Sequence, residues 1–249
     1  VHRQVVRKAA EHRDIKLDAA TRLYFVEVPE PDMEVPKGDL QHLLEALEAE
    51  WDLTGLLCDM ALLRSLQPAL KKSGRALTVA VYKNTSIIAF WPGVHLSAYG
   101  VAVDVGSTTV AAHLCDLSSG EVLASASMMN PQIRFGEDLM SRVSYVMMHP
   151  EGAAEMTAII RGALNDLFTQ VAKQVKGSVE DILEITLVAN PIMHHLLLGI
   201  DPVELGGAPF ALTTDTAIEV AARQLDLHIN HGGRLYVLPC IAGHVGADT

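Results

Sequence analysis

The chain has 249 residues, a formal net charge of −11 and 49% hydrophobic residues, so it is long enough to bury a sizeable core and to hold more than one folded unit. Its acidic balance argues against a nucleic-acid partner, because phosphate backbones bind to basic surfaces. No stretch reaches the roughly 18 uninterrupted apolar residues of a membrane-spanning helix, and the start lacks the layout of a signal peptide, so we expect a cytoplasmic protein with no membrane partner.

The three cysteines are Cys58, Cys115 and Cys240, which are far apart and form no CxxC pair. Neither a disulfide framework nor the ligand set of a cluster follows from this spacing. We expect three buried thiols in a reducing compartment.

Charge changes sign near residue 22, because residues 1–22 are rich in Lys and Arg whereas residues 23–60 are strongly acidic. We therefore place a domain boundary there and predict a helical linker over 1–22, which has no apolar stripe large enough to fold alone. A dimer contact is the alternative role for this segment.

Residues 23–98 have the pattern of a small α+β middle domain, in which "LYFVEV" and two later apolar runs are strand-like. Asp39 can cap a first helix, and a second helix ends near Gly74. The apolar positions of the first helix fall on one face: Leu40, Leu43, Leu44, Leu47 and Trp51. No catalytic spacing occurs in this unit, so we expect a packing or docking role.

Residues 99–249 begin with three strands in succession, followed by amphipathic helices, the buried strand "LEITLVA", a short helix and a last strand, "RLYVLPCI". Strands followed by amphipathic helices at this spacing indicate an α/β layered domain. The first two strands are joined by a small polar turn in "GVAVDVGSTT", residues 100–109.

This turn has the composition of an anion-binding site. Gly106 can take a positive φ and lets a ligand approach the backbone closely. Successive N–H groups at 106–109 can converge on one anionic oxygen, and the hydroxyls of Ser107, Thr108 and Thr109 add donors. An ordinary hairpin turn, built from the same residue types, is the alternative.

Asp104 stands on the opposite face of its strand from the alternating valines Val101, Val103 and Val105. That position is beside any phosphate held by the turn. A carboxylate is useful there with a bridging Mg²⁺, usually through water.

With its meander and the downstream "ITLVANPIMHHLLLG", the turn resembles the phosphate-1 and connect-1 elements of the superfamily of acetate and sugar kinases, heat-shock chaperones and actin. More narrowly, the chain resembles the reductive activators of corrinoid proteins, ATP-dependent proteins that restore the Co(I) state of methyl-transferring corrinoid proteins. The motifs that carry this resemblance are "NPQIRFGEDLMSRV", "MHHLLLGIDP", "APF" and "GHVGADT". It extends from about Val28 to Thr249 and is most specific between 100 and 249.

The resemblance implies that residues 99–249 are the ribonuclease-H-like first lobe of an actin-like ATPase domain, with ATP and Mg²⁺ as cofactors and a corrinoid protein as partner. Asp104 would orient Mg²⁺, and Asn190 would lie near the attacking water. The remaining nucleotide-binding residues that it implies are Gly106, Ser107, Thr108, Thr109, Gly246 and Asp248.

The resemblance also implies two parts that this sequence does not contain, an N-terminal [2Fe-2S] ferredoxin domain and a second ATPase lobe. The chain begins at Val1 and stops at Thr249 in a Gly-rich stretch, and it has no ferredoxin cysteine pattern. We therefore expect a fragment of a longer protein that is inactive alone, with the iron–sulfur cluster only in the missing domain.

Two further clusters have alternative interpretations. His194 and His195 are adjacent and cannot share a metal as an i, i+4 pair does, so we expect structural roles. The segment around Arg134, Asp138 and Arg142 is either a capped helix or a surface on the phosphate or partner side.

Three functions follow as hypotheses: an activator that couples ATP to reduction of Co(II) in methyl-transfer metabolism, a phosphotransferase of the acetate or sugar kinase type, or a non-catalytic docking module. A homodimer is possible in each of these cases.

Overall fold

The computed structural model describes residues 16–34, 36–243 and 245–247. Most of the predicted linker over 1–22 lies outside these residues, and so does Asp248. The described part forms two sheets that follow each other along the chain. Among these residues, no helix is long and apolar enough to cross a membrane.

The first sheet has four strands in the order β1-β3-β4-β2, and two helices pack against it through a core that includes Leu43, Leu70 and Leu77. Strands β1, β3 and β4 are antiparallel, whereas the short β2 is parallel to β4. In chain order the elements are β1 (Thr21–Glu27), α1 (Asp39–Trp51), β2 (Leu57–Cys58), α2 (Met60–Ser73), β3 (Ala76–Tyr82) and β4 (Ser86–Pro92).

Two details of α1 differ from the prediction. Gly38 is its N-cap, and the Asp39 carboxylate instead accepts a hydrogen bond from Arg75 Nη2 at 2.7 Å. This bond holds the pKa of Asp39 below its usual value. Trp51, at the last position of the helix, is 46% exposed and donates from Nε1 to the Phe25 carbonyl, so it lies at the edge of the sheet rather than in the core.

The second sheet has six strands in the order β7-β6-β5-β8-β10-β9. Strands β7, β6 and β5 form an antiparallel meander, β5, β8 and β10 are parallel, and β9 is antiparallel to β10. This is the arrangement of a ribonuclease-H-like lobe, as the family resemblance implied. Its elements are β5 (Tyr99–Val105), β6 (Thr109–Asp116), β7 (Val122–Met129), α3 (Leu139–Met148), α4 (Gly152–Gln174), β8 (Ile182–Ala189), α5 (Pro191–Leu198), β9 (Ile218–Ala221) and β10 (Arg234–Val237).

Alternating burial along β5 confirms the predicted strand. Val101, Val103 and Val105 are buried, whereas Ala102 is exposed and Asp104 is half-buried. The buried valines join the core that α4 forms over the meander. The buried and the solvent-facing residues of β5 are therefore the ones that the sequence predicted.

The two sheets pack directly on each other. Ile88 of the first sheet and Leu183 of the second are buried in one shared apolar cluster. The backbone at Gly232 lies so close to Ile88 that a Cβ added to the glycine would be 1.7 Å from the Ile88 carbonyl oxygen. At the rim of the same contact, Arg223 Nη2 lies 2.5 Å from a carboxylate oxygen of Asp59.

Candidate functional site

Three parallel strands end at the same edge of the large sheet. Val105 at the end of β5 is paired with Ala189 at the end of β8, and Val237 at the end of β10 is paired with Leu187. Ligands of α/β sheets bind at this carboxyl edge. The topology therefore brings the polar turn, the segment after β8 and the segment after β10 to one edge.

The polar turn, residues 106–109, is tightly closed. The Gly106 N–H donates to the Thr109 carbonyl at 3.0 Å, and a Cβ on Gly106 would lie 2.8 Å from the same oxygen. Gly106 is not in the left-handed region, so the predicted positive φ is wrong. Glycine is required here because the Thr109 carbonyl occupies the space of a side chain.

Two residues that follow β7 in the chain, Asn130 and Arg142, donate hydrogen bonds to the carbonyl groups of the turn. Asn130 Nδ2 donates to the Gly106 carbonyl at 2.8 Å, and the Asn130 backbone N–H donates to the Thr108 carbonyl at 2.8 Å. Arg142 Nη2 donates to the Ser107 carbonyl at 2.5 Å. Three consecutive carbonyl groups of the turn are therefore satisfied by protein donors.

Arg142 is fully buried, with 0% of its surface exposed. Its other donors reach the Gly136 carbonyl at 3.0 Å, Met193 Sδ at 3.2 Å and Gln132 Oε1 at 3.5 Å. Burial lowers the pKa of the guanidinium, but an arginine remains charged in proteins. None of the ion pairs among the described residues includes Arg142.

Asn130 and Gln132 were not among the residues that the sequence predicted for this site. Asn130 is also fully buried, and its Oδ1 accepts from the Gln132 N–H at 2.9 Å, which caps a short 3₁₀ helix, Pro131–Phe135. An Asn-Pro pair directly after an apolar strand is the sequence signal that marks such a cap.

Asp104 is the carboxylate that β5 brings to this edge, in register with Val188 of β8. Among the described residues, no group of three or more His, Cys, Asp or Glu side chains could hold a metal ion. Mg²⁺ is commonly bound by one or two carboxylates together with water and substrate phosphates. Asp104 and the turn fit this pattern of ligands.

An iron–sulfur cluster does not fit the described residues, because the cysteines are not brought together. Cys58 and Cys115 are half-buried rather than buried as predicted, and only Cys240 is buried among the three. Burial raises the pKa of the Cys58 and Cys115 thiols, which keeps both in the protonated form.

Asn190 lies directly after β8, next to the turn in the sheet, and is the N-cap of α5. Its Oδ1 accepts from the Met193 N–H at 3.0 Å, and Pro191 takes the first helical position. The part of Asn190 in catalysis stays a prediction. Gly246 is buried in the segment after β10, and Asp248 lies outside the described residues.

His194 and His195 are both buried in α5. His195 Nδ1 lies 2.9 Å from the Pro191 carbonyl, and its Nε2 accepts from the Thr213 N–H at 3.1 Å. Burial, together with the neighbouring His195, lowers the pKa of His194 to about 4. Both rings are neutral packing residues near pH 7, as expected.

Comparison with known proteins matches two stretches of the chain to described family regions. Residues 99–249 match the family described as the RACo middle region, and residues 10–97 match the RACo linker region. The corrinoid activation enzyme RamQ of Eubacterium limosum is 38% identical over 151 residues, which are 61% of this chain and 26% of that protein.

A solved structure of a reductive activator for a corrinoid, iron–sulfur protein is 28% identical, with a TM-score of 0.82, and the match covers 95% of this chain and 38% of that chain. This similarity confirms the predicted fold class. The chain spans less than half the length of both similar proteins.

Proposed function

This chain belongs to the RACo family, and from that premise we propose that it forms the linker, the small middle domain and the first ATPase lobe of a protein that uses ATP to return a corrinoid protein from Co(II) to Co(I). The observation that carries the proposal is the closed turn at residues 106–109, at the carboxyl edge of the large sheet. The limits of the units at residues 22 and 98, and a homodimer, remain predictions.

The residues of this chain have two tasks in the proposal. The backbone N–H groups and hydroxyls of the turn bind phosphate oxygens, and Asp104 orients Mg²⁺ through water. MgATP, when bound, supplies the free energy of phosphate transfer. Asn190, the N-cap of the helix that follows β8, lies near the attacking water in this proposal.

Reduction of Co(II) needs one electron, and in the proposal a ferredoxin-type [2Fe-2S] cluster elsewhere in the complete protein supplies it. The Co(II)/Co(I) step lies at too low a potential for an ordinary ferredoxin. The activator therefore has to bind the Co(II) and Co(I) states with different affinities, and nucleotide binding has to change the difference between these two affinities. The lobe described here is the part that senses the nucleotide.

Calorimetric titration of the complete protein with MgATP tests the nucleotide site. We expect Asp104→Ala to raise the Kd for MgATP by about tenfold or more, because the carboxylate that orients Mg²⁺ through water is lost. Asp116→Asn is the matched control, since Asp116 lies at the opposite end of β6 and caps a turn at Ser118 and Ser119. Equal Kd values for Asp104→Ala and the unchanged protein would overturn the role of Asp104.

A further inference from the structure

The orientation of the peptide groups in the polar turn follows from its carbonyl contacts. The carbonyl groups of Gly106, Ser107 and Thr108 all accept hydrogen bonds from Asn130 or Arg142. In a trans peptide the C=O of one residue and the N–H of the next point in opposite directions. The N–H groups of Ser107, Thr108 and Thr109 therefore point away from the buried segment.

These outward-pointing groups are available to a ligand. No hydrogen bond among the described residues uses the backbone N–H of Ser107 or Thr108, or the hydroxyls of Ser107, Thr108 and Thr109. Thr108 is exposed and Ser107 is half-buried. Successive N–H groups that point the same way form a concavity for an anion.

We propose that Asn130 and Arg142 are positioning residues for phosphate, which act through the turn. They hold three carbonyl groups on the core side and so keep the N–H groups on the ligand side before nucleotide arrives. This inference rests on the proposed nucleotide site. It adds two buried side chains that touch neither phosphate nor metal but fix the groups that do.

The charge of Arg142 has a second effect. Its guanidinium is buried and forms no ion pair among the described residues. The carboxylate whose charge acts on it is the exposed Asp138, which instead accepts hydrogen bonds from Ser141. Only the peptide group that begins with the Ser107 carbonyl lies between the guanidinium and the ligand side of the turn. A phosphate on that side is attracted to the guanidinium, and burial strengthens the attraction.

Three variants separate the geometric part from the charge. Arg142→Met removes the donors and the charge, whereas Arg142→Lys keeps the charge and loses the planar fork. Asn130→Ser keeps a capping oxygen but loses the Nδ2 donor to Gly106 without adding a charge. Arg161→Met is the matched control, because Arg161 Nε also donates to a carbonyl, that of Leu197 at 3.0 Å, on another helix.

The test measures the Kd for MgATP by calorimetry and the thermal unfolding midpoint without nucleotide, both on the complete protein. We expect Arg142→Met and Asn130→Ser to raise the Kd by about tenfold or more, and Arg142→Lys to restore part of the affinity. Arg161→Met should lower the unfolding midpoint and leave the Kd unchanged. If Arg142→Met does not fold, the comparison is made with Arg142→Lys and Asn130→Ser.

The possible failures are distinguishable. If the unchanged protein binds MgATP and all Arg142 and Asn130 variants bind it equally well, the positioning role is overturned and the nucleotide site stands. If these variants only lower the unfolding midpoint, their role is structural and the inference is also overturned. If the unchanged protein does not bind MgATP, the proposed function itself fails.

Discussion

Gly106 is the residue at which the turn has least space. A Cβ at this position would lie 2.8 Å from the Thr109 carbonyl oxygen, a backbone atom that cannot rotate away. We expect Gly106→Ala to lower the free energy of unfolding by about 1–3 kcal/mol and to weaken MgATP binding, because the strand ends must move apart. Urea denaturation and calorimetry measure the two effects.

Gly207→Ala is the control for this change. Gly207 has extended backbone angles and no atom within 4 Å of an added Cβ, so its replacement should change the free energy of unfolding by less than about 0.5 kcal/mol. Equal effects of the two substitutions would contradict the tight closure of the turn.

At the same scale, the sequence predicted Asp104 but not Asn130, and it placed Arg142 in a segment that was either a capped helix or a surface on the phosphate or partner side. Alternation along a strand is local, so Val103, Asp104 and Val105 could be assigned to faces from neighbouring positions alone. Asn130 contacts Gly106 across 24 positions and Arg142 contacts Ser107 across 35 positions. Contacts of that separation depend on the path of the chain, which periodicity does not describe.

At the scale of elements, the end of α2 near Gly74 was predicted correctly, whereas the start of α1 was not, because Gly38 rather than Asp39 is its N-cap. Helix α2 ends at Gly74 in the left-handed conformation, and α5 starts with the Asn190 cap and Pro191. Both follow from local backbone preferences. Strands β2 and β9, with two and four residues, were not predicted, because they are too short to show a period.

Helix α5 should make stability depend on pH. His194 has a pKa of about 4 in the folded state and 6.5 as its ordinary value, mainly through burial. Above pH 6.5 the ring is neutral in both states. Between pH 6.5 and 4 the His194 ring takes up a proton in the unfolded chain but not in the folded one. The free energy of unfolding therefore decreases as the pH is lowered, by roughly 3 kcal/mol over that range.

Denaturation curves of the unchanged protein and of His194→Leu at several pH values check this dependence. The substitution should make the free energy of unfolding less dependent on pH between 6.5 and 4, whereas His149→Gln should retain the dependence, because His149 is exposed. A slope that stays the same in His194→Leu would show that other groups cause it.

At the scale of the whole molecule, the contact between the sheets should make them unfold together. An added Cβ on Gly232 would meet the Ile88 carbonyl oxygen at 1.7 Å, so Gly232→Ala has to separate the two surfaces. We expect it to lower the free energy of unfolding by more than about 2 kcal/mol and to split one denaturation transition into two.

Gly162→Ala provides the comparison for that experiment. Gly162 lies in the exposed face of α4 with no atom near an added Cβ, so alanine should stabilise the helix by about 0.5–1 kcal/mol. A single transition in Gly232→Ala with unchanged stability would contradict a fixed contact between the sheets.

The central claim is that MgATP bound at the turn of residues 106–109 drives reduction of a corrinoid protein. The most direct measurement is the visible spectrum of a Co(II) corrinoid protein mixed with the complete protein and a reductant, with and without MgATP. We predict that the Co(I) band rises only with MgATP, and that Asp104→Ala abolishes this rise. A Co(I) band that is independent of MgATP, or none at all while MgATP binds, would contradict the claim.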